Sequence, residues 1–216
     1  TLLSVSNDKW AEPEHAAYWV KNKEFVWMTE RDGYMNLYLY NTKGELVRQL
    51  TDNDFVATGI LGQDKSGDLL FNATGDDPRE SHLFSVSLKG KQIQLTEAAG
   101  YHSPTVQEGG HYFIDSYSSV DVPAKDVLMT TGGKEERTLA EAADPFEGTN
   151  IRKPEMGNIT GPDGSTLYTR TYLPYDFDGS KKYPVLVYVY GGPHAQMVTN
   201  RWNGGGPFWM NEFANR

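Results

Sequence analysis

With 216 residues, the chain has room for one large domain or two small ones, either big enough to bury a core. Hydrophobic residues make up 38% and charged residues 23%, a globular composition, and no apolar run approaches the roughly 18–20 residues of a spanning helix. The net charge of -9 without a basic patch argues against nucleic acid and anionic membranes as partners, and the lack of cysteine excludes disulfides, thiol nucleophiles and cysteine metal sites.

The first two thirds repeat. Three β-prone runs, Phe25 to Glu30, Asp68 to Gly75 and His111 to Tyr117, are each followed by a second run: Asn36 to Tyr40, His82 to Val86 and Asp126 to Met129. Each second run leads into a glycine turn, at Lys43-Gly44, Lys89-Gly90 and Gly132-Gly133. A closing strand then ends in Leu50-Thr51, Leu95-Thr96 and, in weaker form, Thr138-Leu139. The three leucines are spaced by 45 and 44 residues. A fourth strand precedes each unit, at Ala16 to Val20, Thr58 to Leu61 and Ser103 to Val106. Four short strands in a period of about 40–50 residues describe a β-propeller blade. The pattern predicts a mainly β chain with about three blades over residues 10–143, with Phe25, Leu70 and Phe113 in equivalent strands. Three blades do not close a ring, which takes about 4–8. An open antiparallel domain is the plainer reading.

The rhythm stops at Ala140, and Pro145, Gly148 and Pro154 mark a linker over 144–154. Residues 155–216 read differently. Glu155 to Thr160, a Pro162-Asp163-Gly164 turn and Ser165 to Leu173 form a hairpin. After a loop, Tyr183 to Tyr190 is apolar almost throughout, as a strand buried on both faces of an α/β sheet would be. Gly191-Gly192-Pro193 ends it. Asn203 to Gly206 is a glycine-rich loop, and Pro207 suits the first turn of a helix through Phe208, Trp209, Phe213 and Ala214. The chain starts at Thr1 without an initiator Met or signal peptide and ends in the first turns of that helix, so a piece of a longer protein is expected.

A strand ending in Gly-Gly-Pro offers backbone N–H groups at the carboxyl edge of a sheet, where α/β folds place their chemistry. Tyr190 precedes the glycines, and its hydroxyl at that edge can donate to a developing oxyanion. Read by itself, Gly-Gly-Pro is a common turn, and Tyr190 reads as a strand-end aromatic packing on the sheet. The other suggestive residues are plainer. Glu135-Glu136 reads as a solvated hairpin. His15, His82, His102, His111 and His194 lack zinc-site spacing, so no metal is expected. Asp52-Asn53-Asp54 and Asp76-Asp77 are turn residues. The aromatics follow from strand propensity.

Taken in order, the blades, the linker, the Pro-Asp-Gly hairpin, the loop ending Lys181-Lys182-Tyr183-Pro184 and the run into Tyr190-Gly191-Gly192-Pro193-His194 resemble the prolyl oligopeptidase family of serine peptidases, in its dipeptidyl peptidase IV branch and bacterial form. Phe25 to Tyr40 is similar to a late propeller blade there, and Trp10 to His15 to the approach to that blade. The resemblance spans nearly the whole chain. It implies 1–143 as the last propeller blades, 144–154 as linker and 155–216 as the truncated start of an α/β-hydrolase domain. It also implies an exopeptidase releasing Xaa-Pro or Xaa-Ala dipeptides from peptide N-termini, without a cofactor, homodimeric, and periplasmic or exported. Tyr190 carries over as the oxyanion donor and Trp10 as an aromatic of the substrate pocket. No Gly-x-Ser-x-Gly nucleophile elbow occurs, and the family's catalytic Asp and His and its amine-binding glutamate pair are expected outside this chain, so the chain alone is expected to be inactive. An acylaminoacyl peptidase or oligopeptidase of the same family, and a non-catalytic propeller binding module, are the alternatives.

Overall fold

One turn, repeated, sets the strand order. The carbonyls of Asn41, Ser87 and Thr130 accept the N–H of Gly44, Gly90 and Gly133 at 3.0, 2.8 and 2.9 Å. The N–H groups of the same three residues donate to the carbonyls of Glu45, Lys91 and Lys134 at 3.1, 2.9 and 2.9 Å. The glycines sit at φ 81°, 85° and 84°, where a Cβ is disfavoured. Each turn reverses the chain between the third and fourth strands of a unit.

The computed structural model describes residues 2–4, 6, 8–9, 16–20, 23–192, 195–202 and 208–216. Within them three four-stranded antiparallel sheets follow one another. The first runs β1 (Tyr18–Val20), β2 (Glu24–Thr29), β3 (Asn36–Asn41), β4 (Leu46–Gln49). The second runs β5 (Ala57–Gln63), β6 (Leu69–Ala73), β7 (His82–Val86), β8 (Gln92–Gln94). The third runs β9 (Tyr101–Val106), β10 (Tyr112–Ser118), β11 (Lys125–Thr130), β12 (Glu135–Glu141). Each is a meander in chain order, the topology of a propeller blade. Phe25, Leu70 and Phe113 lie on β2, β6 and β10, the second strand of each blade, as expected.

The blades stack face to face, which explains why their strands are apolar on both sides. Val26, Met28, Leu37 and Leu39 of the first blade pack against Leu69, Phe71, Phe84 and Val86 of the second. The opposite face of the second blade sends Leu70, Leu83 and Leu95 against Phe113 of the third. On the far face of the first blade, Phe25, Tyr38 and Tyr40 form a further cluster. Because side chains alternate along a strand, Leu70 points to the side opposite Leu69 and Phe71.

The Leu-Thr signature closes each of the first two blades by a specific bond. Leu50 and Leu95 are buried, and their N–H groups donate to the carbonyls of Leu37 and Leu83, both at 2.8 Å. The hydroxyls of Thr51 and Thr96 accept the N–H of Leu37 and Leu83 at 2.9 and 3.0 Å. The third blade differs. Register shifts at Asp126/Val127 and Leu128/Met129 offset β12, and Leu139 is 40% exposed.

After the third sheet, β13 (Glu155–Thr160) and β14 (Thr166–Thr171) pair in unbroken register. Their connection uses the same turn, with Gly164 at φ 85° donating to Gly161 at 3.0 Å. A short helix, α1 (Trp209–Ala214), falls where it was expected. The expected strand over 183–190 does not form. Val185, Val187 and Tyr190 are 83%, 76% and 56% exposed, and no strand pairing is assigned to the run. A strand buried on both faces needs neighbours for its N–H and C=O groups, and none lies alongside it among the described residues.

Candidate functional site at the Tyr190 turn and the blade rim

Tyr190 stands at the end of the extended apolar run, and its exposure excludes packing on a sheet within the described residues. Gly191 has φ 68°, so the chain turns at once. The phenol folds back over Gly192, where a Cβ would lie 3.0 Å from ring Cε1 and 3.5 Å from the hydroxyl. The two glycines thus permit the turn and make room for the ring. Among the described residues the hydroxyl has no partner, which leaves it available as a donor. Trp10, the expected pocket aromatic, lies outside the described residues, as do Glu12, His15, Pro193, His194 and residues 203–207.

Ten residues beyond Tyr190 the chain is fastened to the blades. The contacts come from the β6–β7 and β10–β11 connections, at the same end of adjacent blades. Asn200 donates its N–H to the Arg79 carbonyl at 2.8 Å. Its Nδ2 donates to Glu80 Oε1 at 2.7 Å, and its Oδ1 accepts the Val120 N–H at 3.1 Å. The Trp202 N–H donates to Ser118 Oγ at 3.3 Å, and its ring stacks on Phe146 at 5.3 Å. Lys153 Nζ lies over the indole at 5.1 Å and pairs with Asp144 at 2.9 Å. The hairpin joins here: Arg79 sits 4.8 Å above the Tyr168 ring, and Arg170 donates to the Thr199 carbonyl at 3.3 Å.

Two buried histidines support this rim. His82 Nδ1 faces the Thr96 carbonyl at 2.9 Å and Nε2 faces Glu80 Oε2 at 3.1 Å. His102 Nδ1 faces Asp115 Oδ2 at 2.6 Å and Nε2 the Ala98 carbonyl at 2.8 Å. The rings are 5.0 Å apart, and Tyr117 stacks on His102 at 4.7 Å. Burial pushes the Tyr117 hydroxyl pKa up. The Arg79 guanidinium, bonded to Asp77 through Nε and Nη2, holds that carboxyl below the usual carboxylate range. The expected turn roles of Asp77 and of the Glu135-Glu136 hairpin are what the structure contains: Asp77 Oδ1 accepts the Arg79 N–H at 2.9 Å, and both glutamates are exposed on β12. No group of three or more potential metal ligands gathers among the described residues. The Glu80–Asn200 contact was not visible in the sequence, since 120 residues separate its partners.

Residues 1–124 match the profile of the dipeptidyl peptidase IV N-terminal region. The chain belongs to the dipeptidyl peptidase IV family. The probable dipeptidyl peptidase 4 of Aspergillus flavus is 33% identical over 191 residues, covering 84% of this chain and 24% of that protein. The dipeptidyl peptidase 4 of Trichophyton rubrum is 30% identical over 193 residues, covering 85% and 25%. Among solved structures, a putative dipeptidyl aminopeptidase IV from Bacteroides ovatus superposes with a TM-score of 0.85 at 33% identity, covering 96% of this chain and 33% of its own. Porphyromonas gingivalis dipeptidyl peptidase 4 gives 0.83 at 27%, covering 92% and 28%. The chain therefore spans about a quarter to a third of the proteins it matches. These matches place it in the dipeptidyl peptidase IV branch of the prolyl oligopeptidase family and favour that branch over an acylaminoacyl peptidase or a non-catalytic propeller.

Proposed function

We propose that this chain is the late-blade and early catalytic-domain part of a serine exopeptidase that releases N-terminal Xaa-Pro or Xaa-Ala dipeptides. In this reading residues 1–143 are propeller, 144–154 linker and 155–216 the start of an α/β-hydrolase domain. The observation that carries it is the order of parts. Blades ending at Glu141, a hairpin from Glu155 and an unpartnered tyrosine on a Gly-Gly turn occur within a stretch that superposes on dipeptidyl peptidases over more than nine tenths of its length.

Peptide cleavage passes through a tetrahedral intermediate whose oxyanion needs a fixed donor. Tyr190 supplies that donor. Attack by a serine, proton transfer through a histidine and orientation of that histidine by an aspartate complete the chemistry. Those three groups come from outside these 216 residues, so the chain alone turns over no substrate. Trp10 lines the substrate pocket from the propeller side, and the whole protein works as a homodimer.

The test is Tyr190→Phe in the full-length protein, assayed with glycyl-prolyl p-nitroanilide. The oxyanion exists only near the transition state, so kcat falls about 10²–10³-fold, roughly 3–4 kcal/mol, while KM stays near its original value. A kcat within about threefold of wild type, under 1 kcal/mol, overturns the assignment. Purified residues 1–216 give no hydrolysis of the same substrate above a buffer blank, and turnover that survives repurification refutes that part.

A further inference from the structure

We propose that Asn200, gripped by Glu80, is the positioning residue that fixes the segment following the Tyr190 turn on the propeller rim, so that the blades themselves help set where the oxyanion donor stands. This rests on the reading of Tyr190 as that donor.

An oxyanion donor works only within about 2.7–3.1 Å of its target, and small misplacements are costly in rate. Yet among the described residues no hydrogen bond or strand pairing holds Tyr190, and the nearest ring contact is that of Tyr188, edge-on to Trp209 at 6.0 Å. Residues 185–192 are exposed and unpaired in any strand, and the chain swivels at Gly191. Among the described residues, the first hydrogen-bonded attachment downstream is at Thr199 to Trp202. There Asn200 uses its side-chain donor, its side-chain acceptor and its backbone N–H at once, on Glu80, Val120 and Arg79. These partners belong to two different blades, so the contact reads the relative placement of both.

The chemistry of the grip is specific. The bond from Nδ2 to a carboxylate at 2.7 Å is charge-assisted and among the stronger kinds. Glu80 is in turn held from behind. His82 Nε2 lies 3.1 Å from Glu80 Oε2, and its Nδ1 lies 2.9 Å from the Thr96 carbonyl. The His82 ring thus meets one oxygen of Glu80 while Asn200 takes the other. With both oxygens engaged and the side chain only 11% exposed, Glu80 has one orientation available. Aspartate at position 200 would present an oxygen to an oxygen. Pairing that change with glutamine at position 80 reverses donor and acceptor and restores the bond.

The experiment is a set of variants of the full-length protein assayed with glycyl-prolyl p-nitroanilide: Asn200→Asp, Asn200→Ala, Asn200→Asp with Glu80→Gln, and Asn200→Asp in the Tyr190→Phe background. Asn200→Asp is expected to lower kcat about 10–100-fold with KM changed less than threefold. Asn200→Ala, which removes the bonds without adding repulsion, moves kcat the same way and serves if the aspartate variant does not fold. The Glu80→Gln partner change brings kcat back to within about threefold of wild type, because the bond is restored with donor and acceptor exchanged. In the Tyr190→Phe background Asn200→Asp costs less than about threefold more, because the group it positions is already gone. If Tyr190→Phe lowers kcat but both Asn200 variants leave it within threefold, or the partner change fails to rescue, or the two losses multiply in full, the positioning role is wrong and the oxyanion reading stands. If Tyr190→Phe itself leaves kcat unchanged, the oxyanion reading is wrong and the positioning role falls with it.

Discussion

Thr51→Val tests the account of blade closure most directly. Thr51 is buried, and its hydroxyl accepts the Leu37 N–H at 2.9 Å while donating to Asn36 Oδ1 at 2.7 Å. Valine has nearly the same shape, so no cavity opens. What changes is that the buried Leu37 N–H loses its acceptor, at a cost of about 1–3 kcal/mol. Asn36 Oδ1 keeps the Asn53 N–H at 3.0 Å and stays satisfied. Thr51→Ser makes the opposite trade: the hydroxyl remains and one methyl is lost, worth about 0.8 kcal/mol. Valine should therefore destabilise more than serine, although burial of apolar surface by itself ranks them the other way. Thr96→Val repeats the experiment in the second blade, where the Leu83 N–H is the group stranded. Denaturant unfolding midpoints at matched m-values measure each change. If Thr51→Val stays within about 0.5 kcal/mol of wild type while Thr51→Ser costs more, the hydroxyl does not close the blade and the reasoning fails.

Two further outcomes follow from local geometry. Gly100 has φ 151°, and a Cβ there would lie 2.6 Å from the Ser118 carbonyl and 2.7 Å from the Tyr117 ring, so Gly100→Ala should cost more than about 2 kcal/mol in a melting experiment; a Tm unchanged within error contradicts this. Asp77 has its pKa depressed by Arg79, so the pair's contribution is present above the ordinary carboxylate value near 4 and is lost as pH falls through the lowered one. The pair is partly exposed, so the contribution is about 1 kcal/mol or less. The stability gap between wild type and Asp77→Asn should narrow from pH 6 to pH 2.5, and a gap that stays constant over that range refutes the assignment.

The repeat was readable in the sequence because everything that makes a blade is local. Gly44, Gly90 and Gly133 must sit at positive φ, and the turns they form involve only five consecutive residues. Leu-Thr recurs because one hydroxyl meets one N–H across a hairpin, 13 or 14 residues away. The third closing pair read as a fainter copy, and the bulges between β11 and β12 leave its leucine exposed. Tyr183 to Tyr190 shows the limit of this kind of reading. Its apolar pattern states what the run requires, a layer on each face and a strand on each side, but a requirement is not a pairing, and the described residues supply no neighbour to meet it. The rim contacts lie beyond sequence reading altogether. Nothing in the residues around Glu80 or Asn200 marks them as partners, because a hydrogen bond 2.7 Å long between positions 120 residues apart exists only once two blades have stacked and the chain has crossed back over their edge.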